Sequence, residues 1–189
     1  MGQQFSELSD KHSEFIAAQK IYFVATAAAT GHVNLSPKGG DSLRVINSTT
    51  LAWLNLTGSG NESAAHVLQN SRMTLMFCDF AGAPLILRTY GDARVLHQTD
   101  PEWQQYCELF PTTVAARQIF VLDISLVQSS CGMSVPFFAY QGDRDALANW
   151  AEKKGKSGIE AYWYNRNQQS IDGFDTGIVE RSGISAPEE

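Results

Sequence analysis

Two short stretches of this chain carry residues suited to holding an anion. The first is Thr57-Gly58-Ser59-Gly60-Asn61-Glu62-Ser63. Its glycines let the backbone come close to a ligand, and a helix beginning at Asn61 would leave its first N–H groups without partners. Such amides, at the positive end of a helix dipole, suit a phosphate, and the Ser63 hydroxyl adds a donor. The bland alternative is an ordinary turn with an Asn cap. The second stretch is Ser36-Pro37-Lys38-Gly39, with a hydroxyl, a cation and a backbone loosened by Gly39-Gly40. Alone it reads equally as a turn with a solvated lysine. Together the two suggest opposite ends of one anionic ligand.

Other chemistries fit less well. No Gly-Lys-Ser/Thr follows the glycines, so a Walker A loop fails. The dinucleotide fingerprint matches only at Gly58 and Gly60, although Asp79 follows 19 residues after Gly60. His66 falls inside the helix after the glycine loop, where it is either a phosphate contact or a structural residue. His12, His32 and His97 have no metal-ligand spacing, and Cys78, Cys107 and Cys131 form no C-x-x-C pair, so no metal site is expected. No base is placed to activate Cys131, and no catalytic residue can be assigned from spacing.

These residues must be positioned by a chain of 189 residues, enough for one large domain. Its 14 basic and 20 acidic residues give a net charge of −6, which argues against nucleic-acid and anionic-membrane binding. Only 18% of residues are charged, against about 25% ordinarily, consistent with a surface hidden in a subunit contact. The longest apolar run, Ile21 to Ala29, is too short to span a membrane. A soluble, cytoplasmic, reduced protein is the simplest expectation.

Periodicity predicts an amphipathic helix over 6–20 and strands over 21–26, 32–36, 50–56, 72–80, 84–97 and 117–128, the second ending at Ser36-Pro37. Helices are expected over 61–70, after Asp100-Pro101-Glu102, over 143–154 with Gly155 as its C-cap, and over 158–168. Six strands in hairpin order mean antiparallel pairing, hence an α+β chain on a closed or partly closed barrel. The expected layout is one domain: barrel over 20–135, C-terminal helices over 142–168, and a loose tail after Gly177.

In this order the segments resemble the pyridoxamine-phosphate-oxidase-like proteins of the FMN split-barrel family. The likeness is carried by Phe23-Val24-Ala25-Thr26-Ala27, by Val33 to Gly39, and by Leu51 to Leu54 with the Thr57–Ser63 loop. It continues in Arg72 to Phe77, Leu87 to Gly91, Ser130 to Pro136 and Ser170 to Gly173. The resemblance implies a six-stranded antiparallel split barrel and a homodimer binding FMN between subunits. It places Ser36, Pro37, Lys38 and Gly39 beside the isoalloxazine or ribityl chain. Asn61, Glu62 and Ser63 fall where the true oxidases carry a Ser-Arg-Lys run on the FMN phosphate. With those two cations missing, Lys38, Arg72 or Arg88 must help neutralise it, and His66 is within the same helix. The basic C-terminal run that holds the oxidases' substrate phosphate is also absent. The expectation is therefore an FMN-dependent oxidoreductase of unknown substrate. The alternatives are a non-enzymatic flavin-binding or storage protein and a deazaflavin (F420)-dependent reductase.

Overall fold

A computed structural model describes residues 2–187. Among them are eight strands and five helices. The strands are β1 (Gln3–Phe5), β2 (Ile21–Thr26), β3 (Asn34–Gly39), β4 (Leu43–Asn47), β5 (Thr50–Leu56), β6 (Arg72–Cys78), β7 (Leu85–Leu96) and β8 (Ala116–Cys131). The helices are α1 (Asp10–Ala18), α2 (Glu62–Gln69), α3 (Trp103–Cys107), α4 (Ala146–Arg166) and α5 (Ile178–Ser182). All strand pairs are antiparallel, in the order β3-β2-β6-β7-β8-β5-β4, with β1 added against β8. The fold is thus α+β on a half-barrel sheet, as expected, but with eight strands in place of six. The two extra strands, β1 and β4, are three and five residues long and lack the alternation of a half-buried strand.

Alternation builds the interior. Tyr22, Val24 and Thr26 of β2 face inward while Ile21, Phe23 and Ala25 stay half-exposed. Their inward neighbours Leu75 and Phe77 on β6, Leu87 and Val95 on β7, and Leu51 and Trp53 on β5 fill one core cluster. Trp53 stacks on Phe120 of β8 with ring centroids 4.4 Å apart. The ends of the strand order, β3 and β4, follow one another in the chain across Gly40–Ser42. Ser42 ties this corner to the core, its Oγ lying 2.9 Å from the Tyr22 hydroxyl and its carbonyl accepting from Leu54 N–H at 2.8 Å.

Several boundaries differ from expectation for definable reasons. Helix α1 starts only at Asp10, because Ser9 and His12 form a reciprocal capping box that fixes the entry point. Strand β3 runs through Pro37 to Gly39. Pro37 pairs with Phe23, and β3 is an edge strand, so no outer neighbour needs the missing N–H. The two C-terminal helices are joined as α4, broken at Gly155, whose φ of +65° is left-handed. The segment just after Gly177 is not the loose tail expected: Ile178 is fully buried, and Arg181 of α5 donates to Asp100 and to the Val95 carbonyl, while the last residues of that expected tail, 188 and 189, lie outside the described residues. Among the described residues, no helix is long and apolar enough to cross a membrane, and no cluster of three His, Cys, Asp or Glu is arranged to hold a metal.

Candidate functional site

The two anion-suited stretches lie on one cavity of about 550 Å³. Strand β3 brings Ser36, Pro37, Lys38 and Gly39 to one side. The β5–α2 connection brings Gly58, Ser59 and Gly60, and the start of α2 brings Asn61, Glu62 and Ser63. Helix α2 begins here because the glycines end β5 and Glu62 suits the positive end of the helix. Asn61 occupies the cap position but makes no capping bond. Its amide instead donates to the Asn167 carbonyl at 3.3 Å, and its buried Oδ1 has no partner among the described residues.

A residue not anticipated from sequence completes the site. Arg117, at the start of β8, lines the same cavity and is 3% exposed. In the β5–β8 ladder Asn55 pairs with Gln118 and Leu56 with Ala116, so Arg117 is the extra residue of a bulge. Bulges re-aim side chains, and this one gives Arg117 its place on the cavity wall. Its Nη1 donates to the Gly60 carbonyl at 2.9 Å and to Asn167 Oδ1 at 2.8 Å, while its buried Nε has no partner among the described residues. Asn167, at the end of α4, also donates from Nδ2 to the Gly58 carbonyl at 3.1 Å. The glycine loop is thereby tied to both β8 and α4.

Electrostatically the cavity is cationic. Lys38 lies with Nζ 5.2 Å from the centroid of the Trp53 ring. Burial, and secondarily the charge of Arg117, lower its pKa to about 8. Burial also lowers the pKa of Arg117, which stays charged at neutral pH. Neither cation makes an ion pair among the described residues. Glu62 offsets Arg117 only at a distance, and its Oε2 instead accepts from Ile171 N–H at 2.9 Å. A fully buried guanidinium and a partly buried ammonium beside first-turn amides form an arrangement that an anion would relieve.

The other expected residues sit elsewhere. His66 is buried behind the wall, with Nδ1 3.1 Å from Thr26 Oγ1. From Thr26 a chain of contacts leads through Ser63 Oγ (3.2 Å) and the Asn34 side-chain amide (3.2 Å) to Ser36 (3.1 Å). His66 therefore braces the cavity through this chain and does not line it. Arg72 is exposed on β6, hydrogen-bonded to Asn70, and lines a different cavity with Tyr90 and Asp92. Arg88 of β7 donates to Ser130 Oγ at 3.0 Å and is not on the cavity wall.

The sequence model described as "Pyridoxamine 5'-phosphate oxidase" matches residues 8–131, which include Ser36–Gly39, Gly58–Ser63 and Arg117. The chain belongs to the pyridoxamine 5'-phosphate oxidase family. It is 33% identical over 188 residues to the pyridoxamine 5'-phosphate oxidase family protein ustO of Aspergillus flavus, covering 90% of this chain and 76% of that one. Among solved structures, a putative pyridoxamine 5'-phosphate oxidase from Lactobacillus delbrueckii superposes with a TM-score of 0.52 at 21% identity, covering 65% of this chain and 94% of that one. HupZ of group A Streptococcus gives 0.51 at 16% identity, covering 65% and 98%. These structural likenesses establish a shared barrel fold for this family member.

Proposed function

We propose that the protein binds FMN, with its phosphate in the Lys38–Arg117 cavity, and works as a flavin-dependent oxidoreductase. The observation that carries this reading is the convergence of a buried Arg117, whose Nε donor has no partner among the described residues, a partly buried Lys38 and a helix start on one cavity of a family fold. A cavity of this volume lies within the range of small-molecule sites. Lys38 and Arg117 would neutralise the phosphate, the amides of Glu62 and Ser63 would donate to it, and Ser36 and Pro37 would border the remainder. When bound, FMN supplies hydride exchange, and the protein supplies binding and electrostatics. The Thr26–Ser63–Asn34–Ser36 chain would hold the hydroxyls of the wall in register. On the same reading the chain acts as a homodimer. Val33, just before edge strand β3, and Leu35 on it are 73% and 63% exposed beside the cavity-lining Asn34 and Ser36, an apolar strip suited to a second copy.

Titration of the purified protein with FMN should quench flavin fluorescence and raise the melting temperature, since a ligand bound by the native state alone stabilises it. Riboflavin, lacking the phosphate, is expected to bind at least about tenfold more weakly, the value of one lost charged hydrogen bond. Equal affinity for the two would overturn the placement of the phosphate. Absence of binding, with a deazaflavin found by mass spectrometry in its place, would transfer the site to that cofactor. Oxidation of a reduced nicotinamide by the loaded protein separates an enzyme from a storage protein. Light scattering of the same sample should give twice the chain mass.

A further inference from the structure

A second and larger cavity, about 860 Å³, adjoins the first. Pro37, Lys38 and Gly39 line both, so strand β3 is their common wall. We propose that this second cavity is the substrate pocket and takes a flat aromatic molecule bearing one carboxylate, held between Phe80, Phe138 and Tyr140 and paired with Lys20 and Arg144. The word substrate rests on the flavin reading above, whereas the binding chemistry stands on the pocket alone.

The aromatic half of the argument is the wall itself. Phe80 and Phe138 meet edge to face, with centroids 5.5 Å apart and planes at 72°. The Phe138 N–H donates to the Phe80 carbonyl at 2.9 Å, which anchors the otherwise irregular stretch 132–145 against the β6–β7 turn. Phe138 and Tyr140 are nonetheless 63% and 54% exposed. A Phe138 ring anchored through its backbone, with an uncovered Tyr140 ring nearby, offers edges and faces to another flat ring.

The charged half follows from which groups are already engaged. Asp79 accepts from the Ala81 and Gly82 amides at 2.8 and 2.7 Å and so closes its own turn. Asp143 faces the Tyr140 hydroxyl, whose pKa it raises. Lys20, 5.8 Å from the Tyr140 ring centroid, and Arg144 make no ion pair among the described residues. The pocket thus presents two exposed cations without an acid partner among the described residues, while Asp79 is engaged in its own turn. It has no cradle of helix amides like the first cavity, so a single carboxylate forked by Arg144 matches it better than a phosphate.

The test is isothermal titration of the FMN-loaded protein with indole-3-acetate and with its neutral amide, indole-3-acetamide. The acid should bind at least about tenfold more tightly than the amide, as one charged hydrogen bond requires. Lys20→Gln with Arg144→Gln should erase that preference, and Phe138→Ala should weaken both compounds. FMN affinity, measured on the same variants, should not change. No binding of either compound, equal binding, or a preference that survives the double substitution would overturn the pocket. So would light scattering showing that Phe138→Ala dissociates a dimer while neither compound binds. If FMN fails to bind but the acid binds the ligand-free protein with these dependences, the flavin reading falls and the pocket stands. If FMN binds and the acid does not, the pocket alone falls.

Discussion

Lys38→Met is expected to stabilise the ligand-free protein while weakening its hold on FMN about tenfold to a hundredfold. The two effects have one cause. In the ligand-free protein the ammonium is partly desolvated and repelled by Arg117, with the face of Trp53 as compensation. Methionine keeps the stem and removes the charge, a net gain of about 1–2 kcal/mol that should raise Tm by roughly 2–8 °C. With FMN bound, the same charge faces a phosphate and its loss is costly. The pH dependence follows with a definite sign. Lys38 titrates near 8 in the folded chain and near 10.5 unfolded, so above pH 8 the unfolded state binds the extra proton. Stability of the ligand-free protein should therefore rise between pH 8 and 10.5 through this group. FMN affinity should fall over the same rise, because binding must then restore the proton. Riboflavin should show no such fall, and Lys38→Met should abolish both trends. Differential scanning fluorimetry and fluorescence titration across pH 7–10 read all of these. A variant that loses stability and binds FMN normally would contradict the assignment.

Trp53→Ala should cost the fold most. Trp53 is fully buried, stacked on Phe120 and beneath Lys38. Truncating such a side chain costs about 3–5 kcal/mol, a large share of the 5–15 kcal/mol that holds a domain together. Tm should drop by roughly 6–20 °C. Trp53→Phe separates packing from chemistry. It keeps a ring under Lys38 and removes an indole N–H that is buried without a partner, so folding should survive with FMN binding largely kept. Urea unfolding gives both values. A Trp53→Ala loss below 1 kcal/mol would mean that the barrel interior repacks freely.

The sequence and the structure agree where signals are local. Strand β2, the glycine loop into α2 and the β6–β7 hairpin are read from alternation and turn residues alone, and each lies within a few residues of its expected place. Strands β1 and β4 could not be read this way, since they are short and owe their conformation to partners far along the chain. The arginines make the same point at the site. Arg72, Arg88 and Arg117 all sit on strands, and no local pattern says which one reaches the cavity. Strand β8 begins with seven buried residues in a row, Ala116 to Leu122, so periodicity is silent there. Only the bulge against β5 places Arg117 on the wall. The visible signal was an arginine at the head of a buried apolar run, where a charge needs a reason to be. Asn167 had no signal at all, as its partners on β8 and on the glycine loop are 50 to 109 residues away.

The tethering of that loop bears on how fast a ligand can be captured. A glycine-rich segment ordinarily has much freedom to lose, and ordering it on association subtracts from affinity and slows productive encounters. Here the Gly58 and Gly60 carbonyls are already held by Asn167 and Arg117 before anything arrives. The ordering entropy has been surrendered during folding, at the joining of α4 to β8. Capture should then proceed as it does for a rigid receptor, with one kinetic phase and an association rate constant governed by charge steering and ionic strength.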